Sequence, residues 1–127
     1  MPKTSLALGL FVLFSGLFSV ESSAQQTEKY RSELLPYYEA LALMERNHFE
    51  PARKGFEDFL AEGAVDYGEF QVNASYYSAK SAMELFHKDA EFFMEEFVLG
   101  HPESIWHQTA LLDLGRYNFN RRDYDDA

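Results

Sequence analysis

From about residue 32 onward, large apolar residues recur at three- and four-residue steps. That is the period of helices burying one face, and no segment keeps the two-residue period of a strand. Leu34, Leu35, Tyr38, Leu41 and Met44 form the first stripe. Ser32 is placed to cap that helix, and Pro36 falls in its first turn, where a missing N–H costs little. Asn47 and His48 predict a turn. Pro51 then opens a second helix carrying Ala52, Phe56, Phe59 and Leu60, with Gly63 as its stop. After a connector over 64–68, a third helix is predicted over about 70–85 with Val72, Tyr76, Tyr77 and Met83. A fourth follows over about 89–99 with Phe92, Phe93, Met94 and Phe97, ended by Gly100 and Pro102. Ser104 is the expected cap of a fifth helix, whose stripe is Ile105, Trp106, Ala110, Leu111, Leu114 and Tyr117. A polar turn at 118–122 and a sixth helix capped by Asp123 complete the predicted set, and the fold class is all-α.

Small residues pair at a constant interval. Ala40 with Ala52, Ser78 with Ala90 and Gly115 with Ala127 are each 12 positions apart, and the pairs recur after 38 and then 37 residues. Two antiparallel helices approach closely only where small side chains meet, so these positions predict three helical hairpins, about 32–63, 69–100 and 104–127, the last truncated. Large residues wedge between hairpins: Phe49, His87 and Tyr124 at one equivalent position, Phe59 and Phe97 at another. No hairpin buries its apolar face alone, which makes this the pattern of a stacked repeat.

The leader has a different pattern. Lys3 precedes an apolar run over residues 6–20, and Ser22, Ser23 and Ala24 are small, the three-part form of a secretory signal peptide over 1–24. Fifteen helical residues span only about 22 Å, short of the roughly 30 Å hydrocarbon core of a bilayer. Cleavage after Ala24 is expected, followed by a polar, frayed lead-in at 25–31; the competing reading is a leader retained as an inner-membrane anchor.

Composition narrows the function classes. The chain of 127 residues has 11 Lys and Arg against 21 Asp and Glu, a formal charge of −10, which disfavours nucleic acid and anionic lipid as partners. Cysteine is absent, which excludes disulfides, thiolate metal sites and a lipid-anchored cysteine. His48, His87, His101 and His107 lack the four-residue helical spacing of a zinc motif, and Glu91, Glu95 and Glu96 read as an ordinary acidic helix face. There is no nucleophile motif, phosphate-cradling loop or dinucleotide fingerprint, so no catalytic residue, cofactor or metal is expected. Asn73-Ala74-Ser75 is a formal glycosylation acceptor and nothing more.

Leu114-Gly115, then Tyr124-Asp125-Asp126-Ala127, with Phe97 and Pro102-Glu103-Ser104 before them, resemble the tetratricopeptide-repeat family. The spacing of 37 to 38 residues is similar to that of its periplasmic members in outer-membrane assembly and Tol-Pal coordination. The resemblance covers about residues 32–127; Glu39, His87 and the lack of a proline after Gly63 depart from the pattern. It implies a solenoid of about two and a half repeats and the N-terminal part of a longer exported scaffold. Such a scaffold binds proteins or peptides without catalysis and meets the outer membrane only through partners. The alternative is an accessory module of a larger envelope enzyme whose catalytic part lies beyond residue 127. The repeat-signature positions are Ala40, Ala52, Ser78, Ala90, Gly115, Tyr124 and Ala127. The concave face implied by the resemblance carries Tyr37, Leu41, Met44, Ser75, Ala79, Met83, Leu112, Arg116 and Phe119, with Arg116 the leading contact. Neither partner identity nor oligomeric state follows from the sequence.

Overall fold

The computed structural model describes the backbone of residues 3–63 and 68–125, and the side chains of residues 23–63 and 68–122. The chain is all-α: α1 Lys3–Glu45, α2 Phe49–Glu62, α3 Gly68–Glu84, α4 Ala90–Gly100 and α5 His107–Asp125, with no strand among the described residues. It divides into two compact units, 1–34 and 35–127.

The first unit is the long leading part of α1. The expected helix start at Ser32 is not there. Its hydroxyl donates back to the Lys29 carbonyl at 2.9 Å, the bond of a mid-helix serine rather than of a cap. The polar stretch 25–31 is helical too, because Gln, Glu, Lys and Arg are good helix formers and no glycine or proline interrupts them. Pro36 consequently stands inside α1 and removes a backbone donor two positions past the boundary between the units. Among the described residues, no helix is long and apolar enough to cross a membrane. The expected cleavage after Ala24 concerns processing, which a helix over these residues neither supports nor opposes.

The second unit begins with the last turns of α1. Tyr37 and Ala40 are buried, whereas Leu35 and Tyr38, expected in the stripe, are exposed. The shift has a packing cause: α2 approaches α1 closely at Ala40. A Cβ added to Gly55 would lie 2.9 Å from the Ala40 Cβ, so the small residue that Ala40 needs opposite it is Gly55. Around this contact, Tyr37 meets Phe56 and Phe59 of α2 at centroid distances of 5.9 and 5.6 Å, and Phe70 of α3 edge-on at 5.1 Å. Phe56 in turn stacks on Tyr77 of α3 at 5.4 Å. Phe56 and Phe59 are buried, and each contributes about 2 kcal/mol of apolar transfer free energy.

The turns after α1 and α3 close with the same bonds. The Asn47 N–H donates to the Met44 carbonyl and the His48 N–H to the Leu43 carbonyl. Phe86 and His87 repeat this with Met83 and Ala82. This is the Schellman arrangement, and its left-handed residue is Asn47 (φ 62°) in one turn and Phe86 (φ 52°) in the other. Tyr37 and Tyr76, Ala40 and Ala79, Met44 and Met83 are each 39 positions apart, while Ala52 and Ala90, Phe59 and Phe97 are 38 apart. One residue is therefore lost after the second turn. The His48 carbonyl accepts from Ala52, four residues on, and the His87 carbonyl from Ala90, three residues on. The buried counterpart of Ala40 is accordingly Ala79, and Ser78, the expected partner of Ala90, is only half-buried.

The third hairpin does not form. Gly115 and Tyr124 lie on one continuous helix, α5, so 118–122 is no turn and position 123, expected to start a sixth helix, lies inside α5; Ala127 lies outside the described residues. One glycine costs a helix only about 1 kcal/mol, and contacts with preceding elements carry α5 onward. Tyr117 stacks on Phe86 at 6.3 Å, and Arg121 pairs with Glu91 of α4 at 3.1 Å. Nothing approaches Gly115 within 4 Å of an added Cβ. Ser104 does bond as a cap, accepting the Trp106 N–H at 3.1 Å, although the regular helix starts three residues later.

Candidate interaction surface

Three polar contacts fix α5 and the turn before it onto α3. The Tyr76 hydroxyl donates to one oxygen of Asp113 at 2.8 Å, and the Lys80 ammonium donates to the other at 2.9 Å. Asp113 is only 8 % exposed, so both its oxygens are satisfied in a nearly dry site. One turn away, the Trp106 indole N–H donates to the Asn73 side-chain oxygen at 2.9 Å, and the indole lies flat on the Tyr76 ring at 4.7 Å. Burial holds the Tyr76 hydroxyl well above the ordinary tyrosine range, and the bond it donates to Asp113 adds to the effect. Tyr37 is pushed up to about 12, chiefly by burial and then by Tyr77. Both are therefore neutral hydroxyls at any physiological pH and act as packing and hydrogen-bonding groups.

With α5 held there, the segment between α4 and α5 stands beside α3 and a trough opens on the surface. Its first part, about 590 Å³, has Ser75, Ser78 and Ala79 of α3 as floor, Glu57 and Leu60 of α2 on one side, and Phe93, Glu96 and Phe97 of α4 on the other. Its second part, about 650 Å³, shares Leu99 and His101 with the first and continues along Glu69, Val72 and Asn73 to Glu103, Ser104 and Ile105. A smaller recess of about 450 Å³ lies on α5 between Leu111, Leu112, Gly115, Arg116, Phe119 and Asn120.

No protein-family model, curated protein or solved structure matches this chain.

The nine predicted contact residues do not share one surface. Tyr37, Ala79 and Met83 are buried, so their side chains serve packing; Leu41 and Met44 are half-buried. Ser75 lines the trough, its hydroxyl donating to the Gln71 carbonyl at 3.0 Å. Leu112, Arg116 and Phe119 are exposed together on the α5 recess. Sequence reasoning missed the trough because Leu99 fell at the end of the predicted fourth helix and Ile105 was placed in the stripe of the fifth. They are instead 81 % and 76 % exposed. Ile105 precedes α5, and Leu111 points outward, because the buried face of α5 runs through Ala110 and Asp113. The earlier signs of the trough were Ser75 and Ala79 among the predicted contact residues and Glu96 on the acidic face of the fourth helix. Among the described residues no group of three His, Asp or Glu could hold a metal ion.

Proposed function

We propose that this chain is an exported helical-repeat module of tetratricopeptide type that binds other proteins in the cell envelope and carries no catalysis of its own. The observation that supports it best is the pair of hairpins closed by identical turn bonds, with Tyr37, Ala40 and Met44 answered by Tyr76, Ala79 and Met83. Duplicated hairpins that lean on one another leave long grooves between successive units, and extended grooves bind polypeptide. The exposed apolar residues Leu99 and Ile105 sit on such a groove, and Leu112 and Phe119 on a recess of α5, where a partner would bury them. The leader 1–24 supports delivery to the periplasm.

The test has two parts. Expression of the tagged chain in a Gram-negative host should give a periplasmic product whose intact mass begins at Gln25; a cytoplasmic product of full mass refutes export. A photo-reactive residue at Ile105 or at Arg116 should then cross-link discrete polypeptides, and the same residue at exposed Glu39 should not. Equal labelling from all three sites refutes the binding surfaces.

A further inference from the structure

The trough between α2, α3 and α4 has a charge character that the rest of the fold does not explain. Glu57, Glu69, Glu96 and Glu103 line its two parts, and no Lys or Arg does. Glu57 is already paired with Arg53, which lies outside the lining. Glu69, Glu96 and Glu103 make no ion pair among the described residues, although Arg53, Lys80 and Arg121 are engaged elsewhere. Carboxylates on the walls of an apolar cleft reinforce one another's field and raise the local concentration of cations. The apolar half of the site is independent of these charges: Leu60, Phe93 and Phe97 supply greasy walls, and Leu99 and Ile105 project almost fully from the rim.

The shape also has a stated cause. In the first hairpin, Gly55 lets α2 close against Ala40. Thirty-eight positions on, its counterpart is Phe93, and Phe93 and Ala79 both line the trough. A bulky ring where the first hairpin has glycine holds that surface open.

We infer that this trough is a docking site for a basic amphipathic helical segment of a partner protein. Leucine-type anchors of that segment seat between Leu60, Phe93 and Leu99, and its Lys or Arg side chains reach Glu69, Glu96 and Glu103. The inference rests on the protein-binding reading above and names the chemistry of the partner. A helix lies along a cleft between two helices packed on a third, its i, i+3 and i+4 residues meeting the floor while the flanking rows meet the walls. Acidic and neutral segments are selected against by the same carboxylates.

The experiment uses the full chain and three synthetic helix-forming peptides of about 14 residues, roughly 21 Å long: a Leu/Lys amphipathic sequence, its Leu/Glu counterpart and a Leu/Gln one. Binding is followed by fluorescence anisotropy at about 50 and 200 mM salt. The Leu/Lys peptide should bind, more weakly at the higher salt, and the Leu/Glu peptide should not. The triple variant Glu69→Gln, Glu96→Gln, Glu103→Gln should weaken Leu/Lys binding about tenfold. A second triple variant, Glu39→Gln, Glu45→Gln, Glu62→Gln, removes the same charge from outside the trough and should change binding less than twofold. Leu99→Ser should weaken all binding that the trough supports. Equal loss in both triple variants, or equal binding of the Leu/Lys and Leu/Glu peptides, overturns the inference. Self-association that fills the trough, seen as a dimer by sedimentation that Leu99→Ser abolishes, overturns it as well. Cross-links from Arg116 together with no Leu/Lys binding would sink this inference while leaving the protein-binding reading in place.

Discussion

Gly55→Ala tests the packing on which the second unit is built. In an ordinary helix interior this change stabilises by about 1 kcal/mol, because alanine loses less backbone entropy and is the better helix former. Here the new Cβ would sit 2.9 Å from the Ala40 Cβ, at least 0.5 Å inside ordinary van der Waals contact. Neither atom is the far end of a flexible side chain, so relief requires α2 to move away from α1. That movement loosens the contacts of Tyr37 with Phe56 and Phe59. Overpacking of this kind costs about 1–3 kcal/mol, which outweighs the propensity gain and leaves a net loss of about 1 kcal/mol. Gly115→Ala is the control, since nothing lies within 4 Å of its added Cβ, and it should stabilise by about 0.5–1 kcal/mol. Urea unfolding followed by circular dichroism at 222 nm should therefore move the two midpoints in opposite directions, each by about 0.5 M. Removing the opposing methyl by Ala40→Gly in the Gly55→Ala background should recover part of the loss. If Gly55→Ala stabilises as much as Gly115→Ala, the close approach is not real and the reasoning fails.

Other perturbations follow from the same structure. Gly63, at φ 60° after α2, should not tolerate alanine: a loss of about 1 kcal/mol is expected in the same urea assay, and no change would refute the left-handed cap. Asp113→Ala strands the Tyr76 hydroxyl and leaves Lys80 with Glu84 as its remaining ion-pair partner, and should cost about 1–3 kcal/mol. A double-mutant cycle of Asp113→Ala with Tyr76→Phe should show coupling of about 1 kcal/mol, whereas strict additivity would refute the bond. Tyr37 and Tyr76 hold their protons more tightly folded than unfolded, so their contribution is complete below about pH 10, the unfolded tyrosine value; that of Tyr37 is lost as pH rises through about 12, and that of Tyr76 persists to higher pH. The urea midpoint should fall steeply between about pH 10 and 12, and Tyr37→Phe should make the fall shallower.

The helix ends were the most legible part of the sequence, because each depends on one residue's local chemistry. Asn47 and Gly63 adopt the left-handed conformation their side chains permit, and α4 stops at Gly100 ahead of Pro102. Ala52, Phe56 and Phe59 were legible for a related reason: they form one clean stripe, and that stripe is the buried face of α2. Helix starts were harder. Serine bonds equally well as a cap or back to the preceding turn, so Ser104 behaves as a cap and Ser32 does not.

The register failed where a fixed spacing was imposed on a turn that changes length. The pairing at 12 residues selected Ser78, but the shorter start of the second turn places Ala79 in the buried position. The same assumption required a turn at 118–122, where contacts of Tyr117 and Arg121 with Phe86 and Glu91 continue the helix instead. Asp113 was invisible because an isolated carboxylate reads as surface until its donors are known, and these come from Tyr76 and Lys80, 37 and 33 positions earlier. The trough combines both difficulties. Its walls come from three helices and a turn, from Glu57 to Ile105, and its opening depends on Phe93 occupying the place that Gly55 holds in the first hairpin. On a single helix Phe93 is one apolar residue among several, and Glu96 one acidic residue of a solvated face. Only the packing of α2 and α4 on α3 turns the pair into the wall of an acidic, apolar cleft. The spacing thus located two of the three hairpins it predicted, and the residues that differ between equivalent positions determine where a surface opens and what it can hold.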